Sequence, residues 1–353
     1  MDDSPEAVAA RLESVADVQE VWALAERRLE AGDAAFVADL GIAMWQRYGR
    51  QPVPPWQYHS AFDRMLRLLA LRAPAVDEAL RLISVTLDPH RVRFAAALLA
   101  SAHTPADLAQ VLDGAGSEEL RACLVHELVV RGAQLQHRPA GQHPLSWLPR
   151  SLTPLEGRPE LPFYSITGRS HGTAGISVSP APGGGPAVPA RETTTDAEAA
   201  ALGAAVANWA DWSNGRVEAR TFALDGDPHP DAVGATLLGL GLESVPGLRQ
   251  QPGPCTAHQA WRQLFLAAST GGAYNAGDFG AYGRLFAWRS VAALAGAPPD
   301  ASPADVESVA RAASWHSFAG ATAWFDEVAW DVGLAVVSPD GRRLAVLAAS
   351  DTD

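Results

Sequence analysis

Both cysteines of the chain stand three residues before a histidine: Cys123 and His126 in RACLVHEL, Cys255 and His258 in PCTAHQAW. Positions i and i+3 share a helix face, so two such pairs brought together would offer two thiolates and two imidazoles to tetrahedral zinc. Cys123, however, continues an apolar stripe with Leu120 and Leu124, where a thiol usually acts as a small core group. The expectation is therefore no metal: the thiols are buried and the histidines hydrogen-bonded within the fold.

Two further segments have the residue types of a ligand site. In ITGRSHGTAG, Arg169, Ser170 and His171 lie between glycines, where backbone can approach an anion. Ser170 and His171 cannot act as a catalytic dyad merely by adjacency, because neighbouring side chains of an extended chain point oppositely. No GxSxG elbow occurs in the chain. A structural turn is the plainer reading. The segment STGGAYNAGDFGAYGRLFAWRSVAALAG, residues 269–296, runs glycines 271, 272, 277, 280 and 283 into a helix, so amide donors could converge near its start as they do around phosphates. Close packing of small residues is the alternative there, and the stronger one. The ligand-binding candidates are Arg169, His171, Tyr274, Asp278, Tyr282, Arg284 and Arg289. Asp326, Glu327, Asp331, Asp351 and Asp353 could gather around a hard cation, though acids near a chain end are more often solvated.

All 27 basic residues are arginine and none is lysine. Schiff-base chemistry, a pyridoxal-phosphate anchor, the phosphate-loop lysine and the kinase strand lysine are thereby excluded. The run at 271–283 thus lacks the lysine of a phosphate loop, and Asp278 would oppose an anion. No cofactor is expected. A net charge of -13 disfavours nucleic acid and anionic lipid, since phosphate affinity comes from basic clusters. No apolar run reaches the roughly 18 to 20 residues of a membrane span. An acidic start without a signal pattern, and only two cysteines, place the expectation in the cytoplasm.

The elements that must position these residues are mostly helical. Residues 4–136 read as about seven consecutive helices, with starts at Asp17, Asp33, Pro54-Pro55, Asp88-Pro89, Thr104-Pro105 and Ser117, each a cap or first-turn proline before helical periodicity. Stacked helix pairs, HEAT-like, or an irregular bundle would satisfy that pattern. Residues 141–162 are proline-rich and read as a connector, and 179–190 as a mobile proline- and glycine-rich loop. Beyond them, strands are predicted at 163–166, 175–179 and 217–224, and helices at 196–211, 230–240, 256–269, 279–295 and 302–312. The clearest local signal is VAWDVGLAVV, then SPDG, then RRLAVLAAS: two strands joined by a tight turn. The fold class is α+β, predominantly α: a helical array over 1–140, then an α+β domain over 163–353 with a small, mainly antiparallel sheet ending in that hairpin.

At GGAYNAGDFGAYGRLFAWRSVAALAGAP and WFDEVAWDVGLAVVSPDGRRLAVLAASDTD the chain resembles an uncharacterised family of GC-rich, actinobacterial-type proteins known as a domain of unknown function. The resemblance implies that the chain is needed through its last aspartate, and it brings no activity, cofactor or catalytic residue. The expected function is non-catalytic: an interaction or regulatory protein whose partner is another protein. The alternative is an enzyme or small-molecule binder with a polar site in the C-terminal domain.

Overall fold

Side-chain caps open several of the N-terminal helices, while the predicted start at Thr104-Pro105 gives turns, and the helix there begins only at Ala109. In the structure, a computed structural model describing residues 2–86, 88–136, 141–172, 176, 185–226, 228–248, 251–319, 322–325 and 330–352, Asp33 accepts from Phe36 N, Asp88 from His90 N and Ser117 from Leu120 N. Each bond satisfies a helix donor that has no partner within the helix. The helices are α1 (Pro5–Arg11), α2 (Gln19–Glu30), α3 (Ala34–Tyr48), α4 (Trp56–Arg72), α5 (Asp77–Val85), α6 (Pro89–Ala102), α7 (Ala109–Leu112) and α8 (Glu118–Val130). Next-but-one helices pack together along the chain, α1 on α3, α3 on α5, α4 on α6 and α6 on α8, and α3 also packs on its neighbour α4. This is a helical array. In α8 every residue from Ala122 to Val130 is buried, so Cys123 lies in a helix enclosed all round and not on one apolar stripe.

The chain divides into two compact units, and the division does not follow the predicted connector at 141–162. The N-terminal unit comprises Met1–Ser146 and Pro162–Ser170; the C-terminal unit comprises Trp147–Leu161 and His171–Asp353. Arginines explain the exchange. Arg67 Nη1 donates to the Ser165 and Gly168 carbonyls, both at 2.8 Å, and Arg64 Nη1 donates to the Ile166 carbonyl. These bonds fasten the small hairpin β1 (Phe163–Tyr164) and β2 (Arg169–Ser170) to α4. The preceding prolines break helices but remain ordered, because the C-terminal unit binds residues 147–161 through Arg284, described below.

The C-terminal unit is built on a six-stranded, wholly antiparallel sheet. In chain order its elements are β3 (Ala190–Glu192), α9 (Asp196–Leu202), α10 (Ala207–Trp212), β4 (Arg216–Leu224), α11 (Val233–Leu238), β5 (Gly253–Cys255), α12 (Ala257–Thr270), α13 (Phe279–Ala295), α14 (Pro303–Ala312), β6 (Ser314–Ser317), β7 (Trp330–Val337) and β8 (Arg343–Asp351). The strand order is β3-β4-β8-β7-β6-β5. The predicted terminal hairpin is present, in register from Trp330↔Asp351 to Val337↔Leu344. Its turn is closed by Gly341 N donating to Ser338 O, with Gly341 at φ 67°, a conformation glycine adopts without penalty.

Rather than sitting at an edge, the hairpin occupies the middle of the sheet, between β4 and β6. Leu344, Val346 and Ala348 pack on one side with Phe222, Val233, Leu237, Phe318 and Phe325, while α12 and α13 cover the other. Burial on both faces explains why β8 reads as a continuous small, apolar run instead of alternating. The predicted helix at 196–211 is two helices joined by a 3-10 turn at Gly203–Val206, and that at 230–240 narrows to α11 after a 3-10 turn. β5 and β6 were not predicted. They are three and four residues long and exist by pairing outward from β7. The predicted strand at 175–179, apart from Ile176, and the loop at 179–184 lie outside the described residues. Among the described residues no helix is long and apolar enough to cross a membrane.

Candidate functional site

The two Cys-x-x-His pairs fall one in each unit. Cys123 donates through Sγ to Glu119 Oε1 at 3.7 Å, and burial, with Glu119 and Glu127 nearby, pushes its thiol well above the usual range. Burial raises Cys255 to about 12. Thiols held protonated this way are poor metal ligands, which must ionise. His258 Nδ1 donates to the Leu155 carbonyl at 2.8 Å, and its ring packs over Gly157. Among the described residues no three His, Cys, Asp or Glu side chains gather to hold a metal.

The amides of the glycine-rich loop between α12 and α13 go to four separate acceptors within the fold. Ala273 N donates to Asp351 Oδ2 at 2.7 Å, Tyr274 N to Ser213 Oγ at 3.1 Å, Gly277 N to Asn275 Oδ1 at 2.8 Å and Asp278 N to Ala268 O at 2.8 Å. Asp351 is buried at the end of β8 and accepts from one of these amides, Ala273 N. The fit is close: a Cβ on Gly272 would lie 1.8 Å from Asp351 Oδ2. Gly271 and Gly277 both have positive φ, and a Cβ on Gly277 would meet Gly271 N at 2.4 Å. Asn208 ties the loop to α12, donating to Asp278 Oδ2 at 3.0 Å and to Ala268 O at 3.1 Å. Phe279, the first residue of α13, takes φ 58°, a left-handed conformation uncommon for a bulky residue.

The other candidates disperse around this loop. Arg284 is fully buried and grips Glu156, itself fully buried, through Nε to Oε1 at 2.5 Å and Nη2 to Oε2 at 2.9 Å. It also donates to the Pro149 and Ser151 carbonyls, while Trp288 Nε1 and Thr153 N donate to the same carboxylate. Arg284 thus fastens 147–161 to α13. Tyr282 is buried with its ring 5.9 Å from that of Phe286, and the exposed Arg289 lies over Phe286. Arg169 belongs to β2 of the N-terminal unit, where burial lowers its guanidinium below the usual range.

Tyr274 stands out on the surface, 60% exposed. Trp212 ends α10 and is 74% exposed. The bond from Tyr274 N to Ser213 Oγ joins the two segments. Trp209, one turn back on α10, is buried and helps wall a crevice lined also by His171, Gln263, Thr270, Trp330 and Asp331. The crevice measures about 20 Å3, enough for one water-sized group. It takes in His171 but not Asp278, Tyr282 or Arg284.

Three of the groups lining it donate to backbone carbonyls. Trp209 Nε1 donates to Ala267 O, Gln263 Nε2 to Asp331 O and Thr270 Oγ1 to Leu266 O. His171 Nδ1 lies 3.1 Å from Gly172 O and must be the donor in that pair. Gln263 Oε1, on a side chain 4% exposed, has no partner among the described residues. Neither Gln263 nor Trp212 carries a sequence signal of a site; only the meeting of α10, α12 and β7 marks them.

Neither a curated protein nor a solved structure matches this chain. The sequence pattern of a family of unknown function, DUF6183, matches residues 19–353, in agreement with the resemblance carried by the two C-terminal stretches, and the chain belongs to that family.

Proposed function

We propose that this is a non-catalytic protein-interaction or regulatory protein of the cytoplasm, and that it docks another protein on the surface around Trp212 and Tyr274. The observation that carries this reading is the exposure of two large aromatic rings on adjoining backbone segments, over a loop whose amides are held by Asp351, Ser213 and Asn275. Rigid aromatic anchors supply much of the binding energy at protein interfaces because they bury large area with little loss of side-chain freedom. The loop supports the same reading from the other side: its anion-binding capacity is met internally, so its outward feature is apolar. Two free cysteines support the location.

The test compares wild type with Trp212→Ala/Tyr274→Ala, each immobilised and exposed to lysate of the native cell, with bound proteins identified by mass spectrometry. The reading expects a stoichiometric partner on wild type that the double variant loses while keeping the same melting temperature. Recovery of the same proteins by both would refute it.

A further inference from the structure

β3 covers only part of β4, and the part it leaves is an open sheet edge. β3 pairs with residues 222–224 and then departs: Thr193 N donates to the Thr221 carbonyl at 2.9 Å, Thr221 N donates to Thr194 Oγ1 at 2.9 Å, and the chain turns into α9. Successive residues of an antiparallel strand send their backbone groups to opposite sides. Leu224 N donates to Arg342 O, toward β8, whereas Thr221 bonds toward β3, so Val217 and Ala219 face outward with Thr221. Among the described residues no hydrogen bond takes the N–H or the carbonyl of either. Thr221 closes one end of the stretch, and Gly215, whose N–H donates to Trp209 O, closes the other. Two donors and two acceptors are left in a row between them.

A cleft of about 370 Å3 lies against this edge, lined by Ala199, Val217, Glu218, Ala219, Arg220 and Glu243. Its two walls differ. Val217, 36% exposed, projects to the α9 side, where a Cβ on Gly203 would lie 3.7 Å from its Cγ1. Glu218 turns to the other face of the sheet, and its carboxylate accepts from Glu243 N at 3.0 Å and Ser244 N at 2.9 Å. Those bonds hold Glu243 beside the edge. Glu243 is itself exposed and makes no ion pair among the described residues.

We propose that the open edge of β4 binds an extended, basic segment of another protein, which adds to the sheet as a strand antiparallel to β4. The proposal does not rest on the aromatic pair. Two residues of such a segment, spaced two apart, exchange both backbone bonds with Val217 and Ala219 and so meet all four free groups. Directly opposed residues share a face, so their side chains lie on the Ala199 wall, where small apolar groups fit. The residue between them faces Glu243, which selects arginine or lysine. A second copy of the chain would bring a second Glu243 and a like charge of -13, so the occupant is a different chain.

The experiment titrates the full chain, to millimolar concentration, with the acetylated and amidated peptide Ser-Val-Arg-Val-Ser, and follows backbone amides and their exchange with water by NMR. The expected result is saturable binding in which exchange of the Val217 and Ala219 amides slows at least about fivefold. N-methylation of both valines removes the donors that face the edge and abolishes binding; N-methylation of the arginine, whose N–H points away, does not. Ala219→Pro removes an outward N–H without taking a bond from β8, and it abolishes binding at an unchanged melting temperature. Should that variant unfold, Glu243→Arg carries the comparison, weakening the peptide about fivefold as expected for an exposed charge pair.

No saturable binding, or equal binding of the valine-methylated peptide, overturns the edge as the site. Equal binding of the peptide with glutamate in place of arginine overturns the basic occupant. Concentration-dependent self-association that protects the Val217 and Ala219 amides without peptide makes a second copy the occupant and overturns the proposal as well.

Discussion

Replacing Arg284 by methionine tests the account of the C-terminal unit most sharply. The substitution keeps volume and apolar stem but removes a guanidinium that is fully buried with its partner Glu156. Glu156 would retain the neutral donors Trp288 Nε1, at 2.8 Å, and Thr153 N, at 2.8 Å, and lose its only described cation. The Pro149 and Ser151 carbonyls would lose a donor each. Breaking a buried ion pair from one side costs about 3 to 5 kcal/mol, because the remaining charge stays buried. Replacing both partners leaves no such charge. The double variant Glu156→Gln/Arg284→Met is therefore expected to lose at least about 2 kcal/mol less than the two single losses added together. Urea unfolding followed by tryptophan fluorescence measures the losses, and amide exchange across residues 147–161 locates them. A single-variant loss under about 1 kcal/mol, or strict additivity, would refute the claim that this pair fastens the segment.

Asp351→Ala removes the acceptor of Ala273 N and is expected to cost about 1.5 to 3 kcal/mol, the range for a hydrogen bond to a charged group. Amide exchange at Ala273 should quicken, and an unchanged rate would contradict the role given to Asp351. Cys255, held near 12 by burial, should react with iodoacetamide at pH 8 at least about tenfold more slowly in the folded protein than in urea; equal rates would show that the thiol is not shielded. His316 is buried in β6, and burial lowers its pKa below 6.5. The unfolded chain thus binds the proton more readily, so this histidine's contribution to stability is present above pH 6.5 and is lost as pH falls below it. His316→Gln should flatten that part of a melting-temperature profile between pH 7 and 5, and an unchanged slope would place the titration elsewhere.

Helix starts were legible where the capping group is adjacent in sequence, as at Asp33, Asp88 and Ser117, because a cap acts over three residues or fewer. The terminal hairpin was legible for the same reason: Ser338, Asp340 and Gly341 build their turn from one another. β5 and β6 were not, since so few residues show no period and depend on β7 for hydrogen bonds. The proline-rich stretch looked like a connector because composition reports only what a segment cannot form by itself. Glu156, inside it, decided that residues 147–161 pack with α13.

The site shows the same boundary. From the residues alone came the glycine-rich run at 271–283, the absence of a lysine to complete a phosphate loop, and Tyr274 on that run. What answers the Ala273 amide is Asp351, 78 residues away, and what answers Arg284 is Glu156, 128 residues away. Backbone sterics, caps and turns act within a few positions and can be read locally. Pairings across such separations are set by how the hairpin enters the sheet and how α12 and α13 lie on it, and only the packed structure carries that information.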